Sequence, residues 1–164
     1  MGVATKQPKQ SLTVEDKPVS YETDFYTWTQ QQGALLRAGR FDAIDRENLA
    51  EEIESLGRSE FDRLVSFYRL ILLRMLKWEH QPNHRSRSWA VSIDIHRTHA
   101  EDVPRENPGL KSRLDEALER AYRVARLEAI AETGLSRSVF PESCPFTRDE
   151  MQPGLMLSTD RTSC

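Results

Sequence analysis

The segment Arg85-Ser86-Arg87-Ser88-Trp89, with Trp78 upstream, gathers two guanidinium groups, two hydroxyls and two indoles. Arginine forks match a phosphate or carboxylate, free N–H groups at a helix start add to them, and an indole can stack on a base. A purely structural role accounts for the same residue types and is the favoured reading: Ser86 as a helix cap, Arg87 paired with Glu52 or Glu79, and both tryptophans in a core. A second constellation is carboxylate. On a helical wheel Glu52 flanks the face of Leu49, Ile53 and Leu56, whereas Glu51 and Glu54 point to solvent. Glu79 lines up with Phe61 and Leu72, and Glu128 with Leu110, Ala121 and Val124; Glu132 follows one turn on. Carboxylates brought inward from three helices can hold a divalent ion in a bundle core. The di-iron bundles need Glu-x-x-His pairs, and this sequence has none. A partly buried Glu52 is also satisfied by an arginine alone. His96 and His99 stand at i, i+3, but no third ligand joins them. His80 and His84 lie on either side of Pro82, which breaks the helix they would need to share.

No nucleophile-and-base set can be assembled. Cys144 precedes Pro145, Cys164 is the last residue, and no CxxC, GxSxG, P-loop or GxGxxG spacing occurs. The reading leans away from an enzyme and calls for no cofactor.

These residues must be positioned by a chain of 164 residues that is 38% hydrophobic and 30% charged, enough for one domain with a continuous core. A net charge of −3 and a pI near 5.9 argue against a dedicated nucleic-acid binder, while allowing a local basic patch. The longest apolar run, Leu70 to Leu73, is too short for a bilayer. The N-terminus lacks the apolar stretch of a secretory signal, and Lys6 stands where myristoylation wants Ser or Thr. A cytoplasmic protein is expected, without membrane contact.

Residues 1–20, rich in Lys, Gln, Ser, Thr and Pro, read as a disordered arm. A single helical domain is expected over 21–151 and a flexible tail over 152–164. The first helix spans Tyr21 to Ala38, opened near Asp24 and stopped by Gly39. A second begins at Asp45 and buries Leu49, Ile53 and Leu56; Gly57 interrupts it, and Ser59 caps a third. That third helix carries the strongest signal. Phe61, Leu64, Val65, Tyr68, Ile71, Leu72, Met75 and Leu76 keep i, i+3, i+4, i+7 spacing, and Phe67, Leu70 and Leu73 make its middle apolar nearly all round. Such a helix is central, and it ends at Gln81-Pro82. A fourth helix runs from a Ser86 cap to Val103, stopped by Pro104, with Trp89, Ile93, His96, Ala100 and Val103 on one face. Asn107 caps a last helix opened by Pro108, with Leu110, Leu114, Ala117, Ala121, Val124 and Ala125 as its stripe and Gly134 as its stop. A Pro-rich strap with a Thr147/Glu150 capping box lays Val139, Phe140 and Phe146 over the bundle. The fold class is all-α, a bundle of four to five helices.

Three segments carry a family resemblance: DFYTWTQQQGALLRAGRFDAIDRENLAEEIESLGRSE, LLRMLKWEHQPNHRSRSW and ETGLSRSVFPESCPFTRDEM, in that order. Together they cover Tyr21 to Met151 and resemble the bacterial family called domain of unknown function 29. That resemblance implies an all-helical fold and supplies no catalytic residue. Histidines 80, 84, 96 and 99 stand outside the shared pattern, which weakens a site built on them. The expectation is a helical interaction module that binds a protein partner or itself. The alternatives are an anion or nucleic-acid binder using Arg85, Arg87 and Trp89, and a metal-dependent enzyme using Glu52, Glu79 or Glu128.

Overall fold

The Asp24 carboxylate accepts the Thr27 amide at 3.0 Å, which opens α1 (Phe25–Arg37). Gly39, with φ of 70°, takes the left-handed conformation just after it. Asp45 begins the next helix: its carboxylate accepts the Asn48 amide at 3.4 Å and the Asn48 side chain at 2.7 Å. From there α2 (Arg46–His80) runs unbroken, followed by α3 (Arg87–Glu106) and α4 (Leu114–Thr133). The computed structural model describes residues 19–154. The expected arm over 1–20 and tail over 152–164 therefore lie almost wholly outside the described residues. Among the described residues there is no strand, and the chain is all-α. None of these helices is long and apolar enough to cross a membrane.

The described residues form two compact units, divided between Glu54 and Ser55. In the first, Trp28 is buried and its indole N–H donates to Asp45 at 3.2 Å. Gln32, also buried, accepts the Asp45 amide at 2.8 Å. The Tyr21, Phe25 and Trp28 rings pack at centroid distances of 5.0–5.8 Å. Polar bonds and one aromatic cluster hold this unit, since it is too small for a full core.

The second unit holds the main core. Leu64, Ile71, Leu72 and Leu76 of α2 are fully buried, together with Ile93 and Val103 of α3 and Ala117, Ala121, Ala125 and Ala129 of α4. The apolar spacing of Phe61–Leu76 is thus realised as a continuous helix covered by others. The strap is anchored from α4: the Tyr122 hydroxyl donates to the Pro141 carbonyl at 2.6 Å, and Arg126 donates to the Phe140 carbonyl at 3.0 Å. Phe140, Phe146 and Met151 are buried beneath it, whereas Val139, expected inside, is exposed. Glu150 reaches back to the Thr147 amide at 2.8 Å, as its capping-box spacing predicts.

Four expectations need correction. Gly57 does not interrupt: a helical glycine costs about 1 kcal/mol relative to alanine, which a 35-residue helix absorbs. Ser59 caps nothing; its hydroxyl donates to the Leu56 carbonyl at 2.7 Å within the same helix. Pro104 does not stop α3: the helix runs through it to Glu106, although proline cannot make the backbone bond to Ala100. Pro108 opens a 3-10 turn (Pro108–Arg113) rather than the α-helix itself, and the Asn107 side chain donates to Glu60 at 3.1 Å instead of capping. The α4 stripe is rotated accordingly: Leu118 and Tyr122 are buried and Val124 is exposed.

An added Cβ at Gly57 meets nothing within 4 Å. Gly57→Ala should therefore stabilise the protein by about 0.5–1 kcal/mol, read as a higher urea midpoint. A lower midpoint would mean that the helix ends at Gly57 after all.

Candidate functional site

Ser86 opens α3 as expected, its hydroxyl accepting the Trp89 amide at 3.4 Å and meeting the Ser88 hydroxyl at 2.8 Å. Arg85 is occupied: its Nε donates to the Trp78 carbonyl at 2.8 Å, and its guanidinium lies 5.3 Å from the Trp78 ring. Lys77 covers the Trp89 ring at 5.0 Å and pairs with Glu132 at 2.6 Å. Two separate cation–ring contacts form here, Arg85 with Trp78 and Lys77 with Trp89, and Arg87 is exposed. The Trp78 indole nitrogen is buried and has no hydrogen-bond partner among the described residues.

The carboxylates serve as partners to neighbouring side chains. Glu128 takes both its oxygens to one Arg69 nitrogen, at 2.5 and 2.7 Å. Glu132 neutralises Lys77, which is almost buried. Glu52 accepts the Tyr21 hydroxyl rather than an arginine, and this bond pushes the phenol up to about 12. Glu79 is half-buried. Among the described residues no three His, Cys, Asp or Glu side chains gather as a metal site would need. The Cys144 thiol donates to the Phe146 carbonyl at 3.5 Å, and Cys164 lies outside the described residues.

His96 and His99 both face the Phe67 ring, at centroid distances of 6.3 and 5.2 Å. His96 is half-buried and its Nδ1 has no partner among the described residues, while His99 is exposed. The inward position expected of His96 belongs instead to Arg97, which is 1% exposed and 3.5 Å from the Asp94 carboxylate. Arg97 stands four residues after Ile93 and three before Ala100, so the helical period already placed it inward.

The opening turns of α2 expose a different surface. Glu47, Glu51 and Glu54 follow i, i+4, i+7 spacing and all are exposed, and Ala50 and Ile53 of the same helix are exposed too. Ile53 and Leu56, expected on a buried face, are 61% and 69% exposed. In this first unit the inward positions next to α1 belong to Asp45 and Glu52, which bond Trp28 and Tyr21.

Compared with known proteins, residues 20–153 match the profile of a family described as domain of unknown function DUF29. No curated protein matches at a significant level. The solved structures likewise contain no significant match.

Burial holds the His96 imidazole below its ordinary value, and nearby His99 and Arg74 act in the same direction. Burial lowers His80 as well. Unfolded histidine takes its proton near pH 6.5, and these two resist it in the fold. Their contribution to stability is fully present above about pH 6.5 and is lost progressively as the pH falls from there through their lowered folded values. Urea unfolding at pH 7.5 and 5.5 should show this loss, and His96→Leu should reduce it, leaving the share of His80. Identical pH slopes in the two proteins would refute the assignment.

Proposed function

This chain belongs to the DUF29 family, and from that premise we propose that it is a helical interaction module, acting in the bacterial cytoplasm on a protein partner or a second copy of itself. One observation carries the reading. Within residues 19–54 only Trp28 and Gln32 are buried, while Tyr26 is 73%, Phe41 60% and Ile53 61% exposed. Isolated exposed apolar residues are ordinary, but this many in so short a segment mark a surface suited to association. Aromatic side chains in particular bring large contact area at small entropic cost.

The anion-binding alternative is the less favoured. Arg85 already donates to a carbonyl and lies over an indole, and Ser86 is engaged as a cap. That leaves Arg87 as the exposed cation of the corner, which by itself is a weak anchor for phosphate.

Light scattering after size exclusion, with pull-downs from a bacterial lysate, tests the proposal. The full chain should dimerise or retain a partner, and Tyr26→Ser with Phe41→Ser should weaken the association at least tenfold while helicity is unchanged. A strict monomer that retains nothing would remove it.

A further inference from the structure

The second unit holds a cleft of about 300 Å³ between its helices and the strap. Tyr68 of α2, Glu101 and Pro104 of α3, and Leu114 of α4 line it, with Arg148, Asp149 and Met151 of the strap. Its size suits a small organic molecule rather than a cofactor or a peptide.

The chemistry of the cleft begins with Tyr68. This residue is only 5% exposed, yet its hydroxyl has no hydrogen-bond partner among the described residues. A phenol so enclosed ordinarily finds a partner, and this one reaches the strap end of the cleft, where it feels the charges of Arg148 and Asp115. Burial raises it above its ordinary value, so it remains a neutral hydroxyl. The wall beside it lacks a second bond. Pro104 has no amide hydrogen, so the Ala100 carbonyl loses its helical donor, and both residues line the cleft. At the rim Glu101 and Asp149 are exposed, and no ion pair to either occurs among the described residues. Arg148 already pairs with Asp115 at 3.0 Å. Acceptors and unmatched negative charge therefore surround an apolar lining.

We propose that this cleft binds a small aliphatic amine. The ammonium donates to the Tyr68 oxygen and the Ala100 carbonyl, while Glu101 and Asp149 supply the countercharge. The alkyl chain packs on Leu114 and Met151. A carboxylate or phosphate would have to draw Arg148 away from Asp115 and would meet two unpaired carboxylates. An alcohol would satisfy Tyr68 and leave both carboxylates unmatched. The site lies within the second unit alone and does not rest on the interaction-module reading.

The probe is n-butylamine, titrated into the full chain with methyl-labelled methionine and read by NMR at the Met151 methyl. n-Butanol and butyrate, neutral and anionic on the same alkyl chain, serve as comparisons. Butylamine should shift the resonance saturably and bind at least tenfold more tightly than either, with an affinity that falls as salt is raised. Tyr68→Phe keeps the ring, removes the hydroxyl and should weaken binding about tenfold. Glu101→Gln with Asp149→Asn should weaken it as much, and these exposed positions carry the test should Tyr68→Phe fail to fold. Glu119→Gln with Glu142→Gln, away from the cleft, should change nothing. Equal binding of butanol would mark a merely apolar hollow, and tighter binding of butyrate an anion site at Arg148; either overturns the proposal. So does a shift that never saturates, full affinity in a folded Tyr68→Phe, or equal losses in both pairs of carboxylate variants. Association through Tyr26 and Phe41 stands or falls separately.

Discussion

Between Phe61 and Leu76, α2 carries large apolar side chains on several sides, and none of those sides can be left against water. Burial of one such side chain contributes roughly 1.5–3 kcal/mol, so a stretch of eight or more demands cover from several directions. The alanines of α4 at 117, 121, 125 and 129 let a helix approach closely, because interaxial distance follows the size of the contacting side chains. Ile93, Ala100 and Val103 of α3 supply a second cover, and Phe140, Phe146 and Met151 of the strap supply a third. The strap has almost no regular structure of its own. Tyr122 and Arg126 hold its carbonyls in place, so its position is a consequence of α4.

The same constraint explains the carboxylates that resemble a metal set on a helical wheel. An apolar helix that also carries Arg69 and Lys77 must neutralise both, and α4 does so with Glu128 and Glu132, one turn apart. Once each carboxylate has a cation, convergence on an ion has no electrostatic reason. Arg97 shows the cost of an inward cation more directly: burial pulls its guanidinium below the ordinary value, and Asp94 draws it back up.

Most of the architecture was legible because it follows from periodicity. The all-round apolar stretch of α2, the Asp24, Asp45 and Ser86 caps and the Gly134 stop all rest on local rules that tertiary contacts did not override. The errors have a common origin, for each treated a breaker residue or an apolar face as decisive. Gly57 and Pro104 are helix breakers by propensity and Ser59 favours a cap, yet glycine and serine cost a helix only about 1 kcal/mol or less, and α3 continues through Pro104 at the loss of its bond to Ala100. Apolar spacing alone predicts Ile53 and Leu56 inside, whereas polar bonds from Asp45 and Glu52 occupy the inward positions of that helix. Arg97 escaped for the opposite reason, since a charged residue was not expected at a position that its spacing made internal. The candidate corner at Arg85–Trp89 was legible in composition alone; that Arg85 turns back onto Trp78 depends on a carbonyl that no sequence pattern reveals.

The two units differ in how they treat charge, and that difference is more informative than net charge. In the second unit ions are placed against ions: Arg63 with Glu106, Arg69 with Glu128, Lys77 with Glu132, Arg120 with Asp62 and Arg148 with Asp115. Those between exposed groups contribute little to stability, typically below about 1 kcal/mol each, and Lys77 differs in that its cation is buried. In the first unit the carboxylates near α1 are spent on hydroxyl, indole and amide donors, which satisfy hydrogen bonding without cancelling charge. Negative potential therefore persists around a segment that also exposes Tyr26, Phe41 and Ile53. Exposed apolar side chains are costly to leave in water and uncancelled charge discriminates against like-charged neighbours, and the first unit carries both where the second carries mostly paired ions.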